Sequence, residues 1–205
     1  MHGLGRVLVV GALALALQGL ASGTAQARSY GYRPAPPPAP SFDFLNAGFA
    51  SGKWGDDWAN GAIVGASFML TDAWFGYLNA DRESLDDASM TTLNAGLGYA
   101  HSYRQNTVIY GGFGFIQGRI DWGDQADAIG AVTESGYELN VGVRHRVNQQ
   151  LELDARFGHV DLGAGDQNLR LLGRYYVNQR WAVELGYTFV NSDSALAQVG
   201  FSYHF

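Results

Sequence analysis

The sequence contains no cysteine. This absence excludes disulfide bonds and thiolate metal sites, so the chain must be stabilised by a packed core or by backbone pairing. The histidines are scattered through the sequence and show no metal-ligand spacing. We therefore expect neither a bound metal nor another cofactor.

Proline is confined to one short segment, because all five prolines lie between Pro34 and Pro40. Proline cannot donate a hydrogen bond to a strand ladder, so its absence from residue 42 onward permits long uninterrupted strands. Long apolar runs are also missing beyond the first 27 residues, which leaves no candidate there for a membrane-spanning helix.

Basic residues are scarce as well. The 13 lysines and arginines are outnumbered by 19 acidic residues, and the net charge is −6. No basic patch is present that would bind phosphates, which argues against a nucleic-acid partner. Glycine is abundant, at 28 residues, and aromatic residues make up 13% of the chain. This composition is unusual for a soluble domain and common in barrels whose apolar side chains face lipid.

The first 27 residues have the three regions of a secretory signal peptide. Arg6 supplies a positive charge, residues 7–20 form an apolar run, and Ala25 and Ala27 offer small side chains for cleavage after Ala27. The apolar run is shorter than the ~20 residues that a spanning helix needs, which favours export over anchoring. Residues 28–41 would then form a proline-rich periplasmic linker with an extended, semi-rigid backbone. A docking peptide for a partner is the alternative for this segment.

From residue 42 onward, apolar side chains recur at every second position. In the last segment, one face carries Ala195, Ala197, Val199, Phe201, Tyr203 and Phe205, and the other face is mostly small or polar. A period of two, sustained over roughly ten residues, indicates β-strands rather than helices. Strands of β-sandwiches average nearer ~5–6 residues. A tilted strand that crosses a bilayer needs about nine to eleven.

Ten such segments can be counted, near residues 42–50, 59–69, 73–81, 91–103, 107–120, 133–147, 151–162, 168–177, 181–190 and 195–205. Tight turns are predicted at 70–72, 104–106, 148–150 and 178–180, and longer polar links at 51–58, 82–90, 121–132, 163–167 and 191–194. Such alternation is typical of outer-membrane barrels. The sequence therefore predicts an all-β fold, a closed antiparallel transmembrane β-barrel of residues 42–205 with ten strands. Eight strands are the alternative, because the first three segments are the least regular.

Two of the predicted turns share a motif: Val-Asn-Gln-Gln-Leu at 147–151 recurs as Val-Asn-Gln-Arg-Trp at 177–181. A three-residue turn in each keeps the apolar faces of the two strands aligned. The resulting inward-facing pairs of opposite charge are Arg144 with Asp154, Arg146 with Glu152, and Arg174 with Glu184. An arginine facing lipid at the midplane would cost ~2–4 kcal/mol. The pairs therefore predict a lumen largely filled by side chains.

Aromatic residues fall into two predicted belts at the membrane–water interfaces. The outer belt comprises Trp54, Trp58, Trp122 and Tyr137, and the inner belt comprises Phe42, Trp74, Tyr103, Tyr175, Trp181 and Phe205. The predicted outer loops are rich in carboxylates, which we interpret as a solvated surface. Divalent cations that bridge these loops to lipopolysaccharide phosphates, or attraction of cations to a pore mouth, are the alternatives.

The end of the sequence carries Phe205, Tyr203 and Phe201 at alternating positions. This pattern resembles the C-terminal signature of bacterial outer-membrane proteins, which the barrel-assembly machinery recognises. Residues 92–99 (TLNAGLGY) and 137–144 (YELNVGVR) resemble the central strands of small OmpA-like barrels, in particular the short ten-stranded members. The resemblance covers residues 42–205 and implies the outer membrane of a Gram-negative bacterium. It also implies outer-membrane lipid, lipopolysaccharide and the assembly machinery as partners.

Catalytic motifs are missing: there is neither a G-x-S-x-G nor an H-E-x-x-H sequence. His159 near Asp161 is the one suggestive pairing, and a rim contact explains it more simply than catalysis. We therefore predict a protein that is not an enzyme. The preferred function is a structural or surface barrel with a filled lumen. The alternatives are a narrow channel for ions or small solutes, and an adhesin or partner-binding protein that acts through its outer loops.

Overall fold

A computed structural model describes residues 38–54, 57–85, 88–122, 131–163, 165–190 and 194–205. The predicted signal peptide and residues 28–37 of the predicted linker lie outside these ranges. Residues 38–43 have no regular secondary structure, and the first strand begins at Phe44. Among the described residues, no helix is long and apolar enough to cross a membrane.

Ten strands of nine to sixteen residues make up the described chain. In chain order they are β1 (Phe44–Trp54), β2 (Asp57–Met69), β3 (Trp74–Ser84), β4 (Ser89–Arg104), β5 (Thr107–Asp121), β6 (Val132–Arg146), β7 (Leu151–Asp161), β8 (Gly165–Tyr176), β9 (Trp181–Phe189) and β10 (Ala195–His204). Each reaches the length of about nine residues that a tilted strand needs to cross a bilayer.

The strands form a closed barrel in which every strand pairs antiparallel with its neighbours in the chain. Closure comes from β1 and β10, which pair from Phe44 opposite His204 to Lys53 opposite Ala195. Closure leaves no strand edge unpaired. The predicted fold class is confirmed, and so are ten strands rather than eight. The irregular first segments are full strands, since β1 pairs with β2 along its whole length, from Phe44 to Trp54.

The two repeated turns have the three-residue form that their motif predicts. The amide of Val147 donates to the carbonyl of Leu151 at 2.9 Å, and Val177 donates to Trp181 at the same distance. In each turn the asparagine side chain accepts from two backbone amides, at 2.8 Å for Asn148 and 2.9 Å for Asn178. The asparagines hold the turns and therefore set the register of the strands on either side.

Several of the predicted longer links are shorter than expected. β1 ends at Trp54 and β2 begins at Asp57, and β3 and β4 are separated only by residues 85–88. Polar residues such as Lys53 and Arg82 continue the strand pairing, so polarity at these positions did not mark a loop. Residues 122–131, between β5 and β6, form the longest link between strands.

The barrel is apolar outside and polar inside. Outward-facing side chains such as Phe113 and Leu185 are each 60% exposed, whereas inward-facing Glu152 and Glu184 are 0% and 1% exposed. A soluble domain has the reverse distribution. An apolar exterior on a fully paired backbone fits a hydrocarbon environment, in which every backbone group must be satisfied internally.

The predicted aromatic belts need two corrections. Phe42 is 3% exposed and lies inside the barrel, not at the lipid interface. Trp54 has the inward parity of Phe44, and its indole nitrogen donates to Glu83 at 2.6 Å. The prediction for Phe42 was wrong because this residue precedes the first strand, where alternation does not apply. The prediction for Trp54 was wrong because the irregular apolar pattern of β1 does not show which of its residues face inward. Tyr103, Trp74 and the other belt residues are exposed.

Candidate functional site

The candidate site is the lumen, and its central feature is a row of alternating charges across four strands. Arg146 on β6 is opposite Glu152 on β7, Glu152 is opposite Arg174 on β8, and Arg174 is opposite Glu184 on β9. All four side chains are buried. Since alternate residues of a strand share a face and the turns set the register, the pairs Arg146–Glu152 and Arg174–Glu184 follow from the sequence of two hairpins.

Arg174 joins the two hairpins through its ion pairs. Its Nε donates to Glu184 Oε1 at 2.7 Å, and its Nη1 donates to Glu152 Oε1 at 2.9 Å. Its Nη1 also lies 3.7 Å from Asp154 Oδ2. Sequence reasoning paired Arg174 with Glu184 only. The contact with Glu152 is between β7 and β8, whose link has no turn motif that sets a register.

Arg144 also faces the lumen. It lies two residues before Arg146 on β6, nearer the link between β5 and β6, and is opposite Asp154 on β7. Its Nε donates to Asp154 Oδ2 at 2.6 Å and lies 3.7 Å from Glu152 Oε1. Arg146 Nε lies 3.4 Å from Glu152 Oε2, and its guanidinium carbon is 3.6 Å from the centroid of the Tyr176 ring. The six residues predicted as lumen charge pairs therefore form one connected cluster, hereafter the arginine–carboxylate cluster.

An aromatic cluster, formed by Phe42, Phe75, Tyr77 and Tyr110 around Val108, packs beside these charges. The Phe42 and Phe75 rings stack with centroids 4.2 Å apart, and the guanidinium carbon of Arg144 is 4.2 Å from the Phe42 centroid. Arg144 Nη1 also donates to the carbonyl of Ser41 at 2.7 Å. The end of the predicted linker is thus part of the barrel interior.

Sequence reasoning missed the aromatic cluster, although glycines signal it. Phe75 is opposite Gly98, and Tyr110 is opposite Gly142. A Cβ on Gly98 would lie 2.7 Å or less from three ring atoms of Phe75. Inward aromatic rings therefore occupy the space that glycine leaves on the neighbouring strand. An inward aromatic residue opposite a glycine is the pattern that marks the cluster.

A second polar group lies in the lumen around Glu138 on β6, nearer the link between β5 and β6 than the arginine–carboxylate cluster is. Asn94 and Asn140 each donate a side-chain hydrogen bond to the Glu138 carboxylate, Asn140 at 3.0 Å. Arg156 Nη1 lies 3.7 Å from Glu138 Oε1, and Arg156 is directly opposite Arg170. These residues were not predicted as site residues, although their inward parity is readable from the alternation.

A small cavity lies in the lumen beside the cluster. This cavity of about 70 Å³ lies between the two polar groups, lined by Tyr77, Asn140, Asp154, Arg156, Arg170 and Arg174 among others. Sites for drug-sized ligands measure ~300–1,000 Å³. This cavity has room for water or a small ion beside the cluster.

The residues predicted as an assembly signal lie outside the lumen. Phe201 and Phe205 are exposed on the outer surface, and the Tyr203 hydroxyl accepts from Arg180 at 3.3 Å. Their role in assembly stays a prediction. His159 faces outward beside Tyr137, and Asp161 accepts from the amide of Gly163. Among the described residues, no group of three histidine or acidic side chains is placed to hold a metal ion.

Comparisons with solved structures return membrane β-barrels at low identity. The KdgM porin is 14% identical, with a TM-score of 0.43, covering 78% of this chain and 99% of its own. Neisserial surface protein A is 14% identical, with a TM-score of 0.44 and coverage of 80% and 98%. Ail, the attachment invasion locus protein of Yersinia pestis, is 11% identical, with a TM-score of 0.42 and coverage of 79% and 97%. No protein-family model and no curated protein matches the sequence. Likeness at this level assigns no role, so function is argued from the chain's own residues.

Proposed function

We propose that this chain is an integral outer-membrane β-barrel of a Gram-negative bacterium, with a structural or surface role and a lumen closed by side chains. The arginine–carboxylate cluster carries the proposal. It joins β6 to β9 through buried ion pairs, with Arg174 bonded to Glu152 and Glu184. The barrel wall supports a membrane location, because its exterior is apolar and its backbone pairing is closed.

The closed lumen is supported by what fills the barrel. Side chains just fill a barrel of about eight strands, and ten strands make it about a quarter wider, so large side chains are needed to close it. Here the cluster spans β6 to β9, and the aromatic cluster packs against it through Arg144. No continuous water path is needed for a barrel with a structural or surface role.

Planar-bilayer recording tests the closed lumen. We expect wild-type protein to give no steady conductance. The double variant Arg174→Ala/Glu184→Ala removes a charge-balanced pair, so it shortens two lumen side chains and leaves the net charge unchanged. It should show measurable conductance. Leu185→Ala, on the outer face of the same strand, is the matched control and should stay silent. Steady wild-type conductance that changes in Arg174→Ala would instead establish the narrow channel.

A surface-binding role is the second candidate, and the link between β5 and β6 favours it. Residues 122–131 form the longest link in the barrel and leave it on the side opposite the repeated turns. Replacing 123–130 with a short glycine–serine linker should abolish adhesion of expressing bacteria to cultured cells. Gel mobility of unboiled protein should remain that of a folded barrel. Unchanged adhesion would rule this role out.

A further inference from the structure

Two arginines in the lumen face each other directly. Arg156 on β7 is opposite Arg170 on β8, and both line the lumen cavity. Like charges at directly opposed positions destabilise a strand pair. Two pleats further along β7, toward the turn between β6 and β7, the row through Arg146, Glu152 and Arg174 alternates in sign. The pair Arg156–Arg170 therefore places like charges opposite each other, whereas that row places opposite charges together.

One donor of each guanidinium group also lacks a hydrogen-bond acceptor. The Nε atoms of Arg156 and Arg170 are buried and have no hydrogen-bond partner. Arg170 forms no ion pair with a carboxylate of the described residues, and Arg156 reaches only Glu138, at 3.7 Å. Glu138 already accepts hydrogen bonds from Asn94 and Asn140. A buried cationic donor without an acceptor is unfavourable, so this site has capacity for an additional anion.

The charge of the cavity lining also favours binding of an anion. Among the described residues, the lining contains four arginines and one carboxylate, that of Asp154. Asp154 is already bonded to Arg144 at 2.6 Å and to the Tyr110 hydroxyl at 2.7 Å. The positive charge of Arg156 and Arg170 is therefore left largely uncompensated next to the cavity.

We propose that Arg156 and Arg170 form a binding site for a small oxyanion of the phosphate or sulfate type. The planar guanidinium group presents its donors in a fork that matches such oxygens, and it holds them more strongly than neutral donors do. The amide groups of Asn46 and Asn79 line the same cavity and supply neutral donors. The cavity volume of about 70 Å³ favours a small ion.

Calorimetric titration of the folded barrel in detergent tests the site. Sodium phosphate and, separately, sodium sulfate are added to protein in chloride buffer at constant ionic strength. Wild-type protein should show saturable binding of at least one of these ions, and Arg170→Gln should bind at least about tenfold more weakly. Arg119→Gln removes an exposed arginine from β5 and should bind as wild type does.

Thermal unfolding in chloride gives a second readout that does not depend on detecting binding. Without an oxyanion, Arg170→Gln removes a repulsion and should unfold at a higher midpoint than wild type. Phosphate should raise the wild-type midpoint and leave that of Arg170→Gln nearly unchanged. If Arg170→Gln fails to fold, Arg156→Gln replaces it in both measurements.

Three results would contradict the proposed oxyanion site. One is the absence of saturable phosphate or sulfate binding by wild-type protein, and another is an equal loss of binding in Arg119→Gln. The third is a lower midpoint for Arg170→Gln than for wild type in chloride. The proposed closed lumen is tested independently by conductance, because an open lumen with the same arginine pair would still bind the ion.

Discussion

Glu152 is fully buried and lies among three arginines and a tyrosine. Arg174 donates to one carboxylate oxygen at 2.9 Å, Arg146 lies 3.4 Å from the other, and Tyr176 donates to that oxygen at 3.3 Å. Burying charged groups is unfavourable unless each is paired and hydrogen-bonded. The carboxylate of Glu152 therefore compensates the charge of arginines on β6 and β8 that would otherwise be buried without a partner.

Replacing Glu152 with glutamine keeps the shape of the side chain and removes its charge. We expect Glu152→Gln to lower the free energy of unfolding by ~3–5 kcal/mol, because it leaves buried arginines without their partner. Urea unfolding in lipid vesicles, followed by tryptophan fluorescence, measures this. Glu134→Gln, an exposed residue near the outer end of β6, is the control and should change stability by less than ~0.5 kcal/mol. Equal effects of the two variants would show that Glu152 has no special role.

At the level of the strands, closure of the barrel depends on a close approach of β1 and β10. Gly48 and Gly200 are directly opposite each other. A Cβ on Gly200 would lie 2.6 Å from the carbonyl oxygen of Ala47, and one on Gly48 would lie 2.7 Å from that of Val199. Since both contacts are with backbone, neither can be relieved by a side-chain rotation. Glycine is required on both sides of this seam.

Gly200→Ala should therefore destabilise the barrel by ~1–3 kcal/mol, the usual cost of overpacking. The matched control is Gly173→Ala on β8, where an added Cβ has its nearest neighbours at 3.9 Å. That variant should be neutral or slightly stabilising, by up to ~1 kcal/mol, because alanine restricts the unfolded chain. Urea unfolding of the two variants side by side makes the comparison. A neutral Gly200→Ala would mean that the seam tolerates displacement of β1.

The molecule as a whole reverses the usual distribution of apolar and charged residues. Its exterior is lined by residues such as Leu185, and its interior holds ion pairs such as Arg174–Glu184. In water an exposed leucine is ordinary and its replacement nearly neutral. In a bilayer the same position faces hydrocarbon, and the effect of a charge there depends on depth.

Leu185→Arg places a charge at the middle of β9 and tests the membrane environment directly. In lipid vesicles we expect a loss of ~2–4 kcal/mol in the free energy of unfolding. Val177→Arg, in the turn between β8 and β9, should cost only ~0–1 kcal/mol, since it lies near the interface. Urea titrations of both variants measure the difference. If the two variants cost the same, the exterior is not embedded at the depth that this barrel geometry implies.

Much of this molecule could be predicted from the sequence, because strands are local. The period of two determines which side chains face in and which face out, and the motif at 147–151 and 177–181 sets the register of two hairpins. From these alone, Arg144 falls opposite Asp154 and Arg174 opposite Glu184, as in the structure. The link lengths were harder to predict, since polar residues continue the strands beyond the apolar band.

Only the tertiary structure decided which residues meet between β7 and β8, whose link carries no recognisable turn motif, and between strands that are not consecutive in the chain. These include the closing pair Gly48–Gly200, the contact of Arg174 with Glu152, and the opposition of Arg156 and Arg170. Phe42 enters the lumen in the same way, because its partners Phe75 and Tyr110 lie on β3 and β5. Alternation assigns a side chain to a face. Its neighbours on that face depend on the register between strands and on closure, which are properties of the assembled barrel.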